Sequence, residues 1–169
     1  MRGFSQAADN NKAAILEVLA EQLPRQARLI EIGSGSGQHA IHMAATLNHV
    51  LWQPTDVATV LPMLTSNISE YGAANILSPT ALDLATQEWP AQTYDVVYSA
   101  NVMHIVSTEL GENLIRGAAK MLTADGMLAL YGPFKYEGNF TSSSNADFDL
   151  WLKARDEQSG IRDFEWVHD

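Results

Sequence analysis

The segment Glu31-Ile-Gly33-Ser-Gly35-Ser-Gly37 constrains this chain more than any other. It stands between a short apolar run, residues 28–32, that reads as a strand and a segment, 38–47, whose apolar residues recur at helical spacing. Glycines at a strand-to-helix junction permit positive φ and bring the backbone close to a ligand. A plain tight turn is the competing explanation, and three alternating glycines at one junction weigh against it.

The same alternation continues along the chain. A helix is expected over 9–23, stopped by Pro24, ahead of the first strand. Strands are expected at 50–53 (ending near Asp56), 76–82, 94–99 and 127–131. Helices are expected at 57–71, with Pro62 tolerated in the first turns and Gly72 as the stop, and at 108–122. Asp125-Gly126 reads as a turn, 138–145 as a polar Ser/Asn-rich loop, and 148–157 as a further helix. Strands alternating with helices imply βαβ units, hence a single α/β domain over 1–169 with a mostly parallel, Rossmann-like sheet and helices on both faces. Ligands of such sheets sit beyond the carboxyl ends of the strands. That rule draws attention to Gly33–Gly37, Asp56, Asp83, residues 101–104 and residues 131–134.

Three ligand classes compete for the loop. A Walker A phosphate loop needs Gly-Lys-Ser/Thr, and Gln38 follows Gly37 with no lysine nearby, so this class is rejected. A dinucleotide fingerprint wants a third glycine where Gln38 stands, although Asp56 falls where a ribose-binding acid would. An NAD(P)-dependent oxidoreductase therefore remains as an alternative, weakened by Glu31 beside the pyrophosphate position. The third class is S-adenosylmethionine, a nucleoside with a sulfonium and an ammonium and no phosphate. Glu31 can anchor its aminopropyl part, Asp56 its ribose hydroxyls and Asp83 its adenine amino group. Each acid alone has a competing explanation as a helix N-cap. Their joint placement favours the cation, as does their surrounding sequence: from Leu29 to Ile115 there is no Lys or Arg.

These residues carry a resemblance. The order of the glycine segment, Asp56, Asp83 and Tyr94-Asp-Val-Val-Tyr-Ser-Ala-Asn101 is similar to class I methyltransferases dependent on S-adenosylmethionine. More narrowly, Gly33-Ser-Gly-Ser-Gly-Gln-His39, Trp52-Gln-Pro-Thr-Asp56, Tyr131-Gly-Pro-Phe-Lys135 and Ser144-Asn-Ala-Asp-Phe-Asp149 resemble the methyltransferase-like twenty-six subfamily, a domain of unknown function numbered 938. Residues 4–12 and 160–164 also resemble it, so the likeness covers nearly the whole chain. It implies a cofactor site of Glu31, Gly33, Ser34, Gly35, Gly37, Asp56, Asp83, Leu84 and Asn101. It also implies two further strands forming a C-terminal antiparallel hairpin. The sequence ends at Asp169, about 30 residues too early for that hairpin by βα-unit arithmetic. The expectation is a sheet whose fifth strand is unpaired, an edge open to homodimer formation.

Methyl transfer from a sulfonium asks the protein mainly for orientation and desolvation, sometimes for a base. His104, after the fourth strand, is the candidate base, with strand capping or pocket lining as its competing role. Tyr131, Phe134 and Asn145 are candidate acceptor contacts, and Asn11 is another if segment 5–12 folds over the cofactor as a lid. His39 and His42 lie three apart on a helix but have no third ligand at useful spacing, so no metal is expected. The formal charge of −10 argues against nucleic acid. The absence of cysteine excludes disulfides and thiolate chemistry, and no signal-like or membrane-spanning apolar run is present. The reading is a cytoplasmic methyltransferase acting on a small molecule, with a non-catalytic cofactor-binding protein as a further alternative.

Overall fold

A computed structural model describes residues 1–86 and 88–168. Five strands form one parallel sheet in the order β3-β2-β1-β4-β5: β1 Ala27–Ile32, β2 Val50–Asp56, β3 Thr80–Ala81, β4 Tyr94–Ala100 and β5 Leu122–Tyr131. The strand order reverses between β1 and β4, which opens a crevice at their carboxyl ends. The glycine segment emerges there.

Strand alternation sets the two layers. Leu29 of β1 and Val96 and Tyr98 of β4 face helices α1 (Gln6–Gln22) and α2 (Gln38–Thr46). Ile30, Ile32 and Val97 point the other way, onto α4 (Thr108–Met121). Helix α1 starts at Ser5, whose side chain accepts from the Ala8 amide, and buries Asn11, Ile15 and Leu19, four residues apart each time. Helix α4 is capped by Ser107, carries Glu109 in its first turn and Lys120 in its last, and buries Leu114, Ala118 and Met121. Helix α3 (Leu61–Tyr71) carries proline in its first turn and stops at Gly72 as expected, where φ of −76° is ordinary extended backbone.

Several expected boundaries move. Helix α1 begins at Gln6, so segment 5–12, expected as a lid over the cofactor, is a cap and the first turns of a helix. The third strand shrinks to two residues plus a bridge from Ile76 to Trp52, because Pro79 interrupts the ladder. The fifth strand runs through Asp125-Gly126: the register jumps from Tyr94↔Leu122 to Val96↔Met127, so the expected turn is absorbed as an irregularity within β5. The 138–145 loop is largely ordered. Strands β6 (Phe134–Tyr136) and β7 (Asn139–Phe140) make a hairpin across Glu137 and Gly138, both at positive φ, and α5 (Ser143–Arg155) starts five residues early. Strand β8 (Arg162–Asp163) pairs in parallel with β6, completing a second small sheet, and α6 (Phe164–His168) follows.

Candidate active site

The glycine segment is held mainly by its own neighbours. Gly33, Gly35 and Gly37 have φ of 75°, 56° and 82°, the left-handed region that only glycine enters freely. The amides of Gly33 and Ser34 donate to the Thr55 carbonyl at 3.1 and 2.9 Å, and Gly37 N–H donates to the Ser34 carbonyl at 2.8 Å. The Gly35 amide donates to Asp56 Oδ2 at 2.7 Å. Four amides of the turn are thereby committed inside the protein. A pyrophosphate needs such amides free.

Asp56 closes β2 and binds the loop on one side while its Oδ1 accepts from the Val57 amide at 2.8 Å. It is not a helix cap, since α3 begins after Val60. Asp83 forms a short turn by accepting from the Ala85 amide at 2.9 Å. Both carboxylates line a cavity of about 400 Å³, otherwise walled by Asn101 and by mainly apolar residues such as Ile32, Leu82, Leu84 and Val102. Glu31 opens instead onto a smaller cavity of about 260 Å³ on the other side of the loop, with Gly35 and His39. Its carboxylate is 2% exposed and accepts from Trp52 Nε1 at 2.9 Å. Burial pushes the Glu31 carboxyl up to about 7, against the opposing effect of the Trp52 hydrogen bond. The group is therefore poised to ionise when a cation arrives.

Residues without a sequence signal cover the loop. Gln38 stands where a dinucleotide motif wants glycine, and its side chain hooks the Ser5 backbone, accepting from its amide at 2.5 Å and donating to its carbonyl at 3.2 Å. Asn67 of α3 does the same for Arg2 and also donates to the Ser36 carbonyl at 2.9 Å. The N-terminal segment is thus strapped across the glycine turn.

A third cavity, of about 630 Å³, adjoins both others through Asn101, which borders all three. Asn101 adopts φ of 59° and donates its amide to the Tyr131 carbonyl at 2.8 Å. Asn11, Tyr131, Phe134 and Asn145 all line this cavity, as do Asn10, Tyr136, Thr141 and Phe148. His104 does not line any of the three. It is 4% exposed, packs edge-on against Phe148 at 5.3 Å, and its Nδ1 has no hydrogen-bond partner among the described residues. Burial, with Arg162 nearby, pushes its pKa down to about 4, so the imidazole is neutral at pH 7. Arg162 of β8 donates to the carbonyls of Met103, Val106 and Gln158, pinning the loop that carries His104. His39 is engaged on both ring nitrogens, by Tyr98 and Asn11, and among the described residues no group of three His, Asp or Glu could hold a metal.

A family model described as protein of unknown function (DUF938) matches residues 2–169. The chain belongs to the DUF938 family. This DUF938 chain is also 31% identical over 137 residues to a highly reducing polyketide synthase of Penicillium rubens, a match covering 74% of the chain and 5% of that protein. Among solved structures it is similar to PigF with SAH (S-adenosylhomocysteine), at TM-score 0.80 and 14% identity, over 94% of this chain and 48% of that one. It is similar as well to an O-methyltransferase family 2 protein of Planctomyces limnophilus in complex with apigenin, at TM-score 0.77 and 16% identity, over 96% and 51% of the two chains. The DUF938 chain spans about half the length of these structures and a small part of the synthase. The fold is that of the class I methyltransferases.

Proposed function

We propose that the protein binds S-adenosylmethionine across the β1–β4 crevice and directs its methyl group to a small molecule held in the 630 Å³ cavity. The observation that carries this reading is the donor set. Three carboxylates, Glu31, Asp56 and Asp83, border the two cavities that flank the glycine turn, and neither those cavities nor the acceptor cavity is lined by Lys or Arg among the described residues. A cationic nucleoside suits that set, whereas a pyrophosphate finds four amides of the turn committed and no Lys or Arg to balance its charge. Methyltransferase neighbours with SAH bound support the same choice.

The cofactor supplies a sulfonium-bound methyl group open to in-line displacement. Asp56 would receive the ribose hydroxyls on lone pairs its two backbone bonds leave free. Asp83 and the apolar wall with Leu84 would take the base, and ionised Glu31 the ammonium end. Asn101, at the meeting point of the cavities, would orient cofactor against acceptor. His104 is the proposed proton acceptor: its ring is neutral, and its pKa of about 4 makes it a weak base at pH 7. Its reach is indirect, because Phe148 stands between it and the acceptor cavity.

Incubating the protein with methyl-labelled S-adenosylmethionine and a metabolite extract is expected to move label into the small-molecule fraction. Label that stays on the cofactor, in protein that binds SAH, contradicts transfer and leaves a non-catalytic binder. A second outcome follows from Glu31. With its carboxyl titrating about 7 and the bound ammonium favouring its charged form, affinity for SAH falls about tenfold from pH 8 to pH 6. The Glu31→Gln variant is expected to bind more weakly at pH 8 and to lose this slope. A pH-independent affinity in the unaltered protein removes Glu31 from the cofactor.

A further inference from the structure

Thirteen residues line the acceptor cavity, and none is charged. Amide and hydroxyl groups of Asn11, Asn145, Thr141 and Tyr136 alternate there with the rings of Phe134 and Phe148. An ionic acceptor would find no opposite charge in this lining. Planar aromatic walls with scattered neutral polar groups suit an uncharged, planar molecule.

One of the amides has a fixed polarity. Tyr98 Oη lies 3.0 Å from His39 Nδ1, and His39 Nε2 lies 2.8 Å from Asn11 Oδ1, a buried chain running from β4 through α2 to α1. The Tyr98 hydroxyl has no other partner among the described residues, so its proton must go to Nδ1 or stay unbonded inside the core. A neutral imidazole that accepts at Nδ1 carries its hydrogen at Nε2. Burial holds His39 below its usual pKa, against an opposing backbone interaction with Ala8, so the ring is neutral. Asn11 Oδ1 therefore accepts, and its Nδ2 is the end left for the cavity. That nitrogen bonds nothing among the described residues and is not one of the sealed, unpartnered atoms. The tyrosine and histidine thus act as positioning residues that turn Asn11 into a hydrogen-bond donor of set direction.

We propose that the acceptor is an uncharged, planar molecule that presents a hydrogen-bond-accepting oxygen to Nδ2 of Asn11. This rests on the assignment of the cavity as the acceptor site, so SAH binding is measured first and the probes are titrated with and without it. The probes are 4-hydroxyacetophenone, its carbonyl-free analogue 4-ethylphenol, anionic 4-hydroxybenzoate and cationic tyramine. The unaltered protein is expected to bind the ketone about tenfold more tightly than each of the others. Asn11→Asp keeps the bond from His39 and places a carboxylate oxygen in the cavity, so the order is expected to reverse in favour of tyramine. A purely structural role for Asn11 would weaken all four probes alike. The proposal is overturned by an ion binding as tightly as the ketone, by 4-ethylphenol matching it, or by no probe binding at millimolar concentration. An unchanged order in folded Asn11→Asp overturns it as well. Absence of SAH binding, by contrast, contradicts the cofactor assignment and leaves the probe comparison standing.

Discussion

Asp56→Ala is expected to weaken binding of SAH by about 100-fold or more while the protein stays folded. The carboxylate touches both the glycine turn and the start of the next segment, through Gly35 and Val57. Two charge-assisted hydrogen bonds to ribose hydroxyls contribute about 1.5–3 kcal/mol each, and their joint loss accounts for the effect. The structural cost is smaller. Losing two bonds from backbone amides that then meet water costs about 1 kcal/mol each, below the roughly 5–15 kcal/mol typical of a domain. Asp56→Asn keeps one acceptor oxygen but sets an amide donor against a backbone donor, so an intermediate loss is expected. Calorimetric titration with SAH, checked by thermal melting, reads both terms. Unchanged affinity in a folded Asp56→Ala protein takes Asp56 out of the site.

Gly33→Ala is expected to destabilise the protein by about 3 kcal/mol, measured by urea unfolding. Its φ of 75° is strained for any side chain, and an added Cβ would stand 2.6 Å from Val102 Cγ2. Gly138 separates the two causes. It has nearly the same φ, 74°, and an added methyl group there would meet nothing within 4 Å, so Gly138→Ala is expected to cost about 1 kcal/mol. Adding Val102→Ala to Gly33→Ala removes the obstructing methyl and is expected to recover part of the difference, a coupling that distant sites do not show. Equal losses at Gly33 and Gly138 would contradict the contact between turn and Val102.

How much of this was legible in the sequence depended on the kind of signal. Strands β1 and β4 carry largely apolar runs, and the glycine segment marks its own junction, so the crevice could be located from residues alone. Asp56 and Asp83 follow strands and do face one cavity. The small sheet could not be seen: its strands are two or three residues long, too short for any period to register. Asp125-Gly126 reads as a turn by composition, and the register jump that absorbs it depends on how β5 pairs with β4. Gln38, Asn67 and Arg162 act through side-chain bonds to backbone groups far along the chain, which no local pattern encodes. Gln38 did leave a trace. It was the residue that broke the dinucleotide fingerprint, and in the fold it straps the N-terminus over the turn.

His39 shows the reverse lesson. Its spacing to His42 invites a metal, yet both ring nitrogens are bonded to Tyr98 and Asn11. The same pairing gives Asn11 its direction toward the acceptor cavity. The long cation-free stretch keeps its meaning after folding, since the cavities that the turn borders take no Lys or Arg into their walls among the described residues.

The central claim is that the crevice selects a cationic nucleoside over a pyrophosphate. Calorimetric titration of the protein with SAH and, separately, with NAD tests it most directly. The account predicts saturable binding of SAH and no measurable heat with NAD. Binding of NAD without binding of SAH would contradict it.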